Sequence, residues 1–418
     1  MVDPKSLSNE EALKQAGIDH ILMHGSAFHA LAKDTGKKIL VEGKGIMVKD
    51  IDGEEYIDAL AGLWLVNVGH GRQEIGDAMA RQAGTLAYAS STQATTIPAI
   101  ELATRLAAIT PGDQTTAFFC SGGSESVESA MKIARQYHYH NGQPKRQKVI
   151  GRRGSYHGGT YAAMSVSGTR PASDPYHSPF MPGVLHASPP HCYRCDFRAT
   201  FPGCDLLCAD QVGQMIEYEN PETVAAVIAE PISASNGIVV PPDGYWKRLR
   251  EICDKHGVLL ITDEVINGFG RTGKMFAIEH SGVEPDLMTM AKSMADGMPI
   301  SAIVGTDKYM DASGPNSLGG TYTGSPTACA AALAVFDVFK EEDILGKSQA
   351  LGEKLKQRFS QWQEQFAHVD NVRNLGPMAA FELVESKESR TPKPELAAAV
   401  TKKAKEKGLI LLSCGMYG

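Results

Sequence analysis

The chain has 418 residues, of which 43% are hydrophobic and 21% are charged. This length suits two domains, or one large domain with a smaller one attached, and the composition is that of a soluble globular protein. The net charge is −7 without a basic block, which argues against nucleic acid or an anionic membrane as the main partner. The N-terminus lacks the apolar core of a secretory signal, and no apolar run is long enough to span a bilayer. We therefore expect a cytoplasmic protein with reduced cysteines.

Short strands are predicted first along the chain. Residues 38–42, 45–50 and 55–58 read as strands, and Asp52-Gly53 between the last two is a hairpin signal. These residues predict a small antiparallel sheet. Two helices are predicted next, at about 72–84 and 97–109.

From Ala117 onward, short apolar runs alternate with helical patterns. Strands are predicted at 117–120, 148–150, 224–229, 258–262 and 287–290, and helices at 124–140 and 244–256. Such alternation predicts a largely parallel sheet with helices on both faces. The last part of the chain predicts a small α+β domain, with helices at 328–340 and 345–366 and strands at 376–384 and 409–413.

One lysine interrupts an apolar run that ends in glycine and proline. Residues 285–299 are mostly apolar or small, and Lys292 is their single lysine. The pattern fits a surface lysine whose methylene stem is covered. It also fits an amine near the end of a buried strand, where desolvation lowers its pKa and it forms Schiff bases with carbonyl compounds.

A strand, glycines and hydroxyls precede the helix predicted at 124–140. In the run Phe118–Glu128 the glycines permit close backbone approach, and the helix N-terminus offers N–H groups and a positive dipole end. The run predicts a phosphate site, although it lacks the Gly-Lys-Ser/Thr of a P-loop. An ordinary helix cap made by Ser121 or Ser124 is the alternative.

Two further residues could face a flat heteroaromatic ligand. Asp263 follows the buried run 257–262, so we expect it at the carboxyl edge of the sheet, where open α/β sheets bind ligands. A carboxylate there can keep a ring nitrogen protonated. Tyr156 precedes two glycines and could stack on the ring. A solvated loop acid and a packed loop tyrosine are the alternatives.

Taken together, these motifs require one small molecule. It must carry a phosphate, a flat ring with a basic nitrogen, and an aldehyde, and pyridoxal phosphate has all of these. The chain resembles the class III aminotransferases, which are pyridoxal-phosphate enzymes of fold type I, over nearly its whole length. The motifs that carry the resemblance are Ser121–Glu125, Tyr156–Gly158, Glu230–Pro231, Asp263–Val265, Gly268–Gly273, Ala291–Lys292 and Gly319–Tyr322.

The resemblance implies an α/β fold of the type I pyridoxal-phosphate transferases. A large, mostly parallel sheet domain is expected at 61–325, and a small α+β domain is expected from both chain ends, at 1–60 and 326–418. Family members usually continue after the equivalent of 409–418 with a strand and a helix. That segment brings an arginine for the substrate carboxylate, often paired with the equivalent of Glu230, and we expect it to be missing here.

The resemblance also implies roles around the cofactor ring. Lys292 is expected to form the Schiff base and then to move a proton between the substrate carbon and the cofactor. Asp263 is expected to keep the ring nitrogen protonated. Tyr156 is expected to stack on one ring face and Val265 to pack on the other.

The remaining implied roles concern the rest of the cofactor and the subunit partner. Gly123 and Ser124 are expected to bind the phosphate, and His157 and Glu230 to line the cofactor site. Thr321 is expected to reach the phosphate of the neighbouring subunit, so the resemblance implies a homodimer or a higher oligomer.

Two features of the sequence bear on the substrate. Relatives that act on 4-aminobutyrate or acetylornithine with 2-oxoglutarate typically have an arginine after the His-Gly pair, and here that position is Gly159. An arginine suits bidentate recognition of a carboxylate. Leu63 and Trp64 are similar to residues of the ω-transaminases, in which the tryptophan walls the substrate pocket with Tyr156. We therefore expect an amine or ω-amino acid donor and pyruvate as acceptor.

Two alternative motifs were weighed. Gly268–Gly273 matches the glycine spacing of a nicotinamide dehydrogenase, but it does not directly follow a strand, and no helix pattern opens behind it. The four cysteines Cys192, Cys195, Cys204 and Cys208 have a spacing compatible with structural zinc. Reduced thiols in a surface insertion are the alternative that we favour, and we expect no metal.

Overall fold

The computed structural model describes residues 9–24, 38–169 and 180–417. Among these, the strands are β1 (Leu40–Lys44), β2 (Met47–Asp50), β3 (Glu55–Asp58), β4 (Thr116–Cys120), β5 (Lys148–Arg152), β6 (Val184–Ala187), β7 (Val224–Ala229), β8 (Leu259–Asp263), β9 (Leu287–Met290), β10 (Ser301–Gly305), β11 (Val369–Leu375), β12 (Met378–Leu383) and β13 (Leu409–Ile410). The α-helices are α1 (Glu10–His20), α2 (Ala61–Trp64), α3 (Gln73–Thr85), α4 (Ile97–Ile109), α5 (Gly123–His140), α6 (Tyr161–Val166), α7 (Leu207–Tyr218), α8 (Tyr245–His256), α9 (Asp307–Met310), α10 (Pro326–Glu341), α11 (Ile344–Gln365) and α12 (Pro394–Glu406).

The chain divides into two compact units. The smaller unit comprises Met1–Gly62, Gly69–Arg72 and Glu395–Ser413, and the larger comprises Leu63–Val68, Gln73–Pro394 and Cys414–Gly418. Residues 326–394 thus group with the larger unit, because α10 packs against α3 and α4, and α11 against β11. The predicted domain bounds of 1–60, 61–325 and 326–418 stay a prediction.

The smaller unit is built on a four-stranded sheet of order β1-β2-β3-β13. Strands β1, β2 and β3 pair antiparallel, and β13 adds in parallel to β3. The predicted Asp52-Gly53 turn is present between β2 and β3, and Gly53 adopts a φ of 88° that favours glycine.

The larger unit is built on a seven-stranded sheet of order β4-β10-β9-β8-β7-β5-β6. Strands β5 to β9 are parallel to one another, whereas β10 runs antiparallel to both β4 and β9. Alternate side chains enter two separate cores, with Val227 and Leu260 on one face and Ile228 and Ile261 on the other. Both faces are covered, so these strands read as continuous apolar runs. The predicted α/β class with a largely parallel sheet is confirmed.

The sheet order sets where the charged residues of interest lie. Arg152 ends β5, Glu230 follows β7, Asp263 ends β8, and Lys292 follows β9 by two residues. Since β5, β7, β8 and β9 are neighbours and parallel, these four residues lie along one carboxyl edge. Among the described residues, no helix is long and apolar enough to cross a membrane.

Candidate active site

Lys292 begins a short 3-10 turn at the carboxyl end of β9. Its backbone φ is 46°, in the left-handed region that lysine rarely adopts. The side chain is largely buried, and this burial lowers the pKa of the amine, although the charge of Asp263 acts in the opposite direction. Lys292 and Asp263 are therefore close enough to interact electrostatically, and the amine is biased towards its neutral, nucleophilic form.

Asp263 is 3% exposed and has defined partners on both carboxylate oxygens. Oδ2 lies 2.7 Å from Nδ1 of His157, and Oδ1 accepts a hydrogen bond from the backbone N–H of Val265 at 3.0 Å. Burial works against a charged His157, but the bond to Asp263 and the charge of Glu230 outweigh it and raise the pKa of His157. The carboxylate of Asp263 is thus held at a fixed position by an imidazole.

Glu230 lies on the other side of His157. Its Oε2 is 4.0 Å from Nε2 of His157 and accepts a hydrogen bond from Nη2 of Arg152 at 3.0 Å. Its Oε1 accepts hydrogen bonds from the backbone N–H of Tyr156 at 3.0 Å and from the Ser233 hydroxyl at 3.2 Å. Arg152 was not predicted from the sequence, which offered Glu230 only the C-terminal arginine of the family, a residue expected to be missing here.

The N-terminus of α5 is open at the same edge. Gly122 is the N-cap residue and has no side chain to cap the helix. At this helix end, Oε2 of Glu125 accepts the backbone N–H of Ser121 at 2.7 Å. A Cβ built on Gly122 would meet no atom within 4 Å, so there is room beside the unbonded N–H groups of the first turn. The Ser124 hydroxyl accepts the backbone N–H of Gly159 at 3.0 Å, which places the Tyr156–Gly159 loop next to this helix end.

Two glycines are required by close packing at this helix end. Gly158 has a φ of 145°, and a Cβ there would lie 2.3 Å from the Ser124 hydroxyl oxygen. A Cβ on Gly123 would lie 3.0 Å from a Val265 methyl group. The residues predicted to bind the phosphate therefore lie next to Val265 and to the loop that carries Tyr156. Tyr156 is 37% exposed.

Trp64 and Leu63 were predicted to line a substrate pocket. Trp64 packs against an apolar cluster that includes Ile232 and Ile266. These two residues follow Glu230 and Val265 closely in the chain, so Trp64 lies beside the same sheet edge. Leu63 is 39% exposed.

Thr321 lies in an exposed turn before α10. Its carbonyl oxygen accepts a hydrogen bond from the Tyr88 hydroxyl at 2.5 Å. Its expected contact with the cofactor of a neighbouring subunit involves a second chain and stays a prediction.

The glycine run and the four cysteines, which are the alternative motifs, lie in different surroundings. The glycine run Gly268–Gly273 forms turns that pack on α10 and α11, because Cβ atoms on Gly270 and Gly273 would meet Phe339 and Gln349 at 3.0 and 2.9 Å. The cysteines, Cys192, Cys195, Cys204 and Cys208, are free thiols. In the part of the chain that the structure describes, no three His, Cys, Asp or Glu side chains are grouped to hold a metal.

Comparisons with known proteins identify the family. The family model for class III aminotransferases matches residues 30–417. The 5-aminovalerate aminotransferase of Pseudomonas aeruginosa is 40% identical over 380 residues, 88% of this chain and 84% of that protein. A probable 4-aminobutyrate aminotransferase of Bacillus subtilis is 36% identical over 384 residues, 91% of this chain and 87% of that protein. A solved (S)-enantioselective omega-transaminase from Thermomicrobium roseum is 37% identical with a TM-score of 0.91, covering 96% of this chain and 91% of that chain. This chain belongs to the class III aminotransferases.

Proposed function

We propose that the protein is a cytoplasmic, pyridoxal-phosphate-dependent transaminase that moves an amino group from an amine or ω-amino acid to pyruvate. The observation that carries this proposal is the row of charged groups along one sheet edge. In this row the charge of Asp263 acts on the Lys292 amine, and His157 holds the Asp263 carboxylate in place. Family membership and this row support the same chemistry independently.

The residues present fit pyridoxal phosphate. The open N-terminus of α5, with space beside Gly122, offers N–H donors and a positive dipole end to a phosphate near Gly123 and Ser124. Tyr156 and Val265 suit the two faces of a flat ring, and Asp263 suits a protonated ring nitrogen. When bound, the cofactor supplies a carbonyl that exchanges amino groups and a ring that withdraws electrons.

The protein's own residues then have distinct tasks. The Lys292 amine, whose pKa is lowered by burial, would hold the cofactor at its aldehyde end and would take up and return the proton at the substrate carbon. Asp263 would face the ring nitrogen of the bound cofactor, and His157, whose pKa is raised by its bond to Asp263 and by the charge of Glu230, would hold the carboxylate in place there. Tyr156, Leu63 and Trp64 would line the donor pocket.

Gly159 supports pyruvate as the acceptor. This residue is exposed beside Tyr156, and a Cβ there would lie 3.8 Å from the tyrosine hydroxyl. Without a cationic side chain at this position, a second carboxylate on the acceptor lacks its bidentate partner. The alternative is 4-aminobutyrate, or ornithine or its acetyl derivative, with 2-oxoglutarate, and the names of the two aminotransferases compared above favour a donor of the 4-aminobutyrate or 5-aminovalerate kind.

The active unit that we propose is a homodimer. Thr321 and Tyr322 are exposed, and Ile97 and Ile100 on α4 are also exposed. The turn and the helix adjoin, because a Cβ on Gly324 would lie 3.8 Å from the Ala99 side chain. Exposed apolar side chains on adjoining elements support a protein partner, and the second copy of this chain is the occupant that would bring Thr321 to a neighbouring phosphate.

The proposal is tested by covalent trapping and a half-reaction screen. Borohydride treatment of the protein with pyridoxal phosphate should label Lys292 in wild type, and no label should form at that position in Lys292→Ala. The amino form of the enzyme should then be re-oxidised faster by pyruvate than by 2-oxoglutarate. Absence of the label contradicts the cofactor assignment, and faster turnover with 2-oxoglutarate contradicts only the acceptor.

A further inference from the structure

Arg152 is a buried cation that the proposed mechanism does not use. The residue is 2% exposed at the carboxyl end of β5. Its Nη2 donates to the Glu230 backbone oxygen at 2.5 Å and to Oε2 of the Glu230 side chain at 3.0 Å. The guanidinium also lies 5.9 Å from the ring centroids of Tyr245 and Trp246 at the start of α8. A charge desolvated to this degree is stable only when it is paired.

The pairing fixes both oxygens of Glu230. Oε2 is held by Arg152, while Oε1 receives the Tyr156 backbone N–H and the Ser233 hydroxyl. A carboxylate with these contacts cannot rotate without breaking a charge-assisted bond. Glu230 is therefore a fixed anion of the site, with its charge neutralised from inside the protein.

Two of the proposed ligand-contacting residues depend on the position of Glu230. Tyr156 is tied to it through its backbone N–H, and Nε2 of the buried His157 lies 4.0 Å from Oε2. His157 in turn contacts Asp263 at 2.7 Å. A continuous row of alternating charge thus runs from Arg152 through Glu230 and His157 to Asp263, and it ends where the ring nitrogen is expected.

We propose that Arg152 is a positioning residue for transamination, because it holds the Glu230 carboxylate in place. Through Glu230, it keeps His157 against Asp263 and keeps the Tyr156 ring at the position where it would stack on the cofactor. This inference rests on the proposed function for its effect on turnover. Its first step, the hold of Arg152 on Glu230 and His157, concerns this chain alone and is measurable without cofactor.

The first measurement is the titration of His157 in cofactor-free protein labelled with ¹⁵N-histidine, with the signal assigned by a His157→Gln variant. Arg152→Met removes the cation and should move the titration midpoint of His157 to higher pH. Glu230→Gln removes the anion and should move the midpoint to lower pH. The double variant Arg152→Met/Glu230→Gln removes both charges and should return the midpoint towards wild type, because the two charges shift the His157 titration in opposite directions.

The second measurement is turnover of the loaded enzyme. Arg152→Met should lower kcat about 10- to 100-fold through misplacement of the reacting groups, with KM for the amine little changed and with a shifted pH dependence of the bound-cofactor absorbance. Arg152→Lys should recover part of kcat. The matched control is Arg153→Met, since the Arg153 side chain is 52% exposed and bonds Ser188 and Asp196; this variant should keep the wild-type midpoint and kcat.

The outcomes separate this inference from the proposed function. Identical His157 midpoints in wild type, Arg152→Met and Glu230→Gln overturn the inference, as does an Arg152→Met loss confined to KM or matched by Arg153→Met. If the midpoints shift as expected but wild type is neither labelled by borohydride nor active, the hold of Arg152 on His157 stands and the proposed function fails.

Discussion

Lys292 combines a buried amine with an unfavourable backbone conformation. Its φ of 46° lies in the left-handed region, which costs about 1–3 kcal/mol for a residue with a side chain unless the surroundings enforce it. Its neighbours Met290, Ser293 and Met294 are buried, so the residue lies in a closely packed segment. The strain and the desolvation act on one residue at the sheet edge, which is typical of functional sites.

Gly158 offers a direct test of the predicted phosphate site at the N-terminus of α5. Replacement by alanine puts a Cβ 2.3 Å from the Ser124 hydroxyl oxygen, at a φ of 145°. About 1–3 kcal/mol of strain should then distort the helix end, which corresponds to roughly 5- to 150-fold weaker cofactor binding. The measurement is the dissociation constant of pyridoxal phosphate by absorbance titration.

The matched control for that test is the next residue. Gly159 has no left-handed φ, and its Cβ would make only an ordinary contact of 3.8 Å with the Tyr156 hydroxyl. Gly159→Ala should therefore bind the cofactor as wild type does. Equal affinities of Gly158→Ala and wild type for the cofactor would contradict a phosphate site beside this loop.

Gly159 also tests the choice of acceptor. Gly159→Arg places a guanidinium beside Tyr156 without backbone strain. A charge-assisted bond to a distal carboxylate contributes about 1.5–3 kcal/mol, so kcat/KM for 2-oxoglutarate should rise roughly 10- to 100-fold relative to pyruvate. Gly159→Met controls for bulk and should give no such rise; if both variants change the ratio alike, charge is not the cause.

At the scale of elements, the carboxyl end of β8 also caps a neighbouring turn. Glu264 is fully buried, and its oxygens accept the backbone N–H groups of Ala277 at 3.1 Å and Ile278 at 2.8 Å. These groups begin the 3-10 helix Ala277–His280. Burial raises the pKa of Glu264 to about 8, so a carboxyl that positions the segment behind Asp263 titrates near neutral pH.

The stability of the fold should depend on pH through Glu264. Its pKa is higher in the folded protein, about 8, than in an unfolded chain, about 4.3. Between these values the folded state binds more protons, so its contribution to the free energy of unfolding is present at low pH and is lost as pH rises towards 8. Each unit of pKa difference is worth about 1.4 kcal/mol.

The measurement is denaturant unfolding of wild type and Glu264→Gln between pH 5 and pH 8, as a function of pH. The free energy of wild type minus that of the variant should fall with rising pH, because glutamine keeps an acceptor oxygen but does not ionise. Glu251→Gln is the control, since Glu251 is on α8 with its side chain 73% exposed, and its difference should be flat. A flat difference for Glu264→Gln too would show that Glu264 ionises normally.

The sequence predicts those strands and helices that can be recognised from their own residues. Strands β7 and β9 have the predicted bounds, because fully buried strands are continuous apolar runs. Strands β6 and β10 were not predicted. Both are short, β6 contains a histidine, and both gain their strand character from distant partners in the sheet.

The same distinction holds for the site. The placement of Lys292 and Asp263 at the sheet edge could be predicted because each follows a buried apolar run. Arg152 could not, since the residue that explains it, Glu230, is 78 positions away in the chain. Two residues that pair across the edge of a parallel sheet are far apart in the sequence, so no local sequence pattern predicts the pair. A buried counter-ion of this kind can be identified only in the folded structure.

At the scale of the molecule, an apolar face around α4 is exposed in the part of the chain that the structure describes. Ile97 is 72% exposed, Ile100 is 53% exposed, and Tyr322 of the adjoining turn is 65% exposed. Ile97 and Ile100 are three residues apart, so they project from one side of α4. In the homodimer that we propose, this face is the interface between the two copies of the chain.

Ile100→Asp should dissociate that dimer. An unpaired carboxylate buried in an apolar interface costs several kcal/mol, so the protein should sediment as a monomer at concentrations where wild type is a dimer. Activity per chain should fall in step with the dimer fraction, because each site would lose the Thr321 supplied by its neighbour. Tyr218→Asp is the control: Tyr218 on α7 is 88% exposed and lies outside the face, so that variant should remain dimeric and active. A monomeric Ile100→Asp protein with full activity would instead mean that each chain builds its site alone, and the proposed role of Thr321 would be wrong.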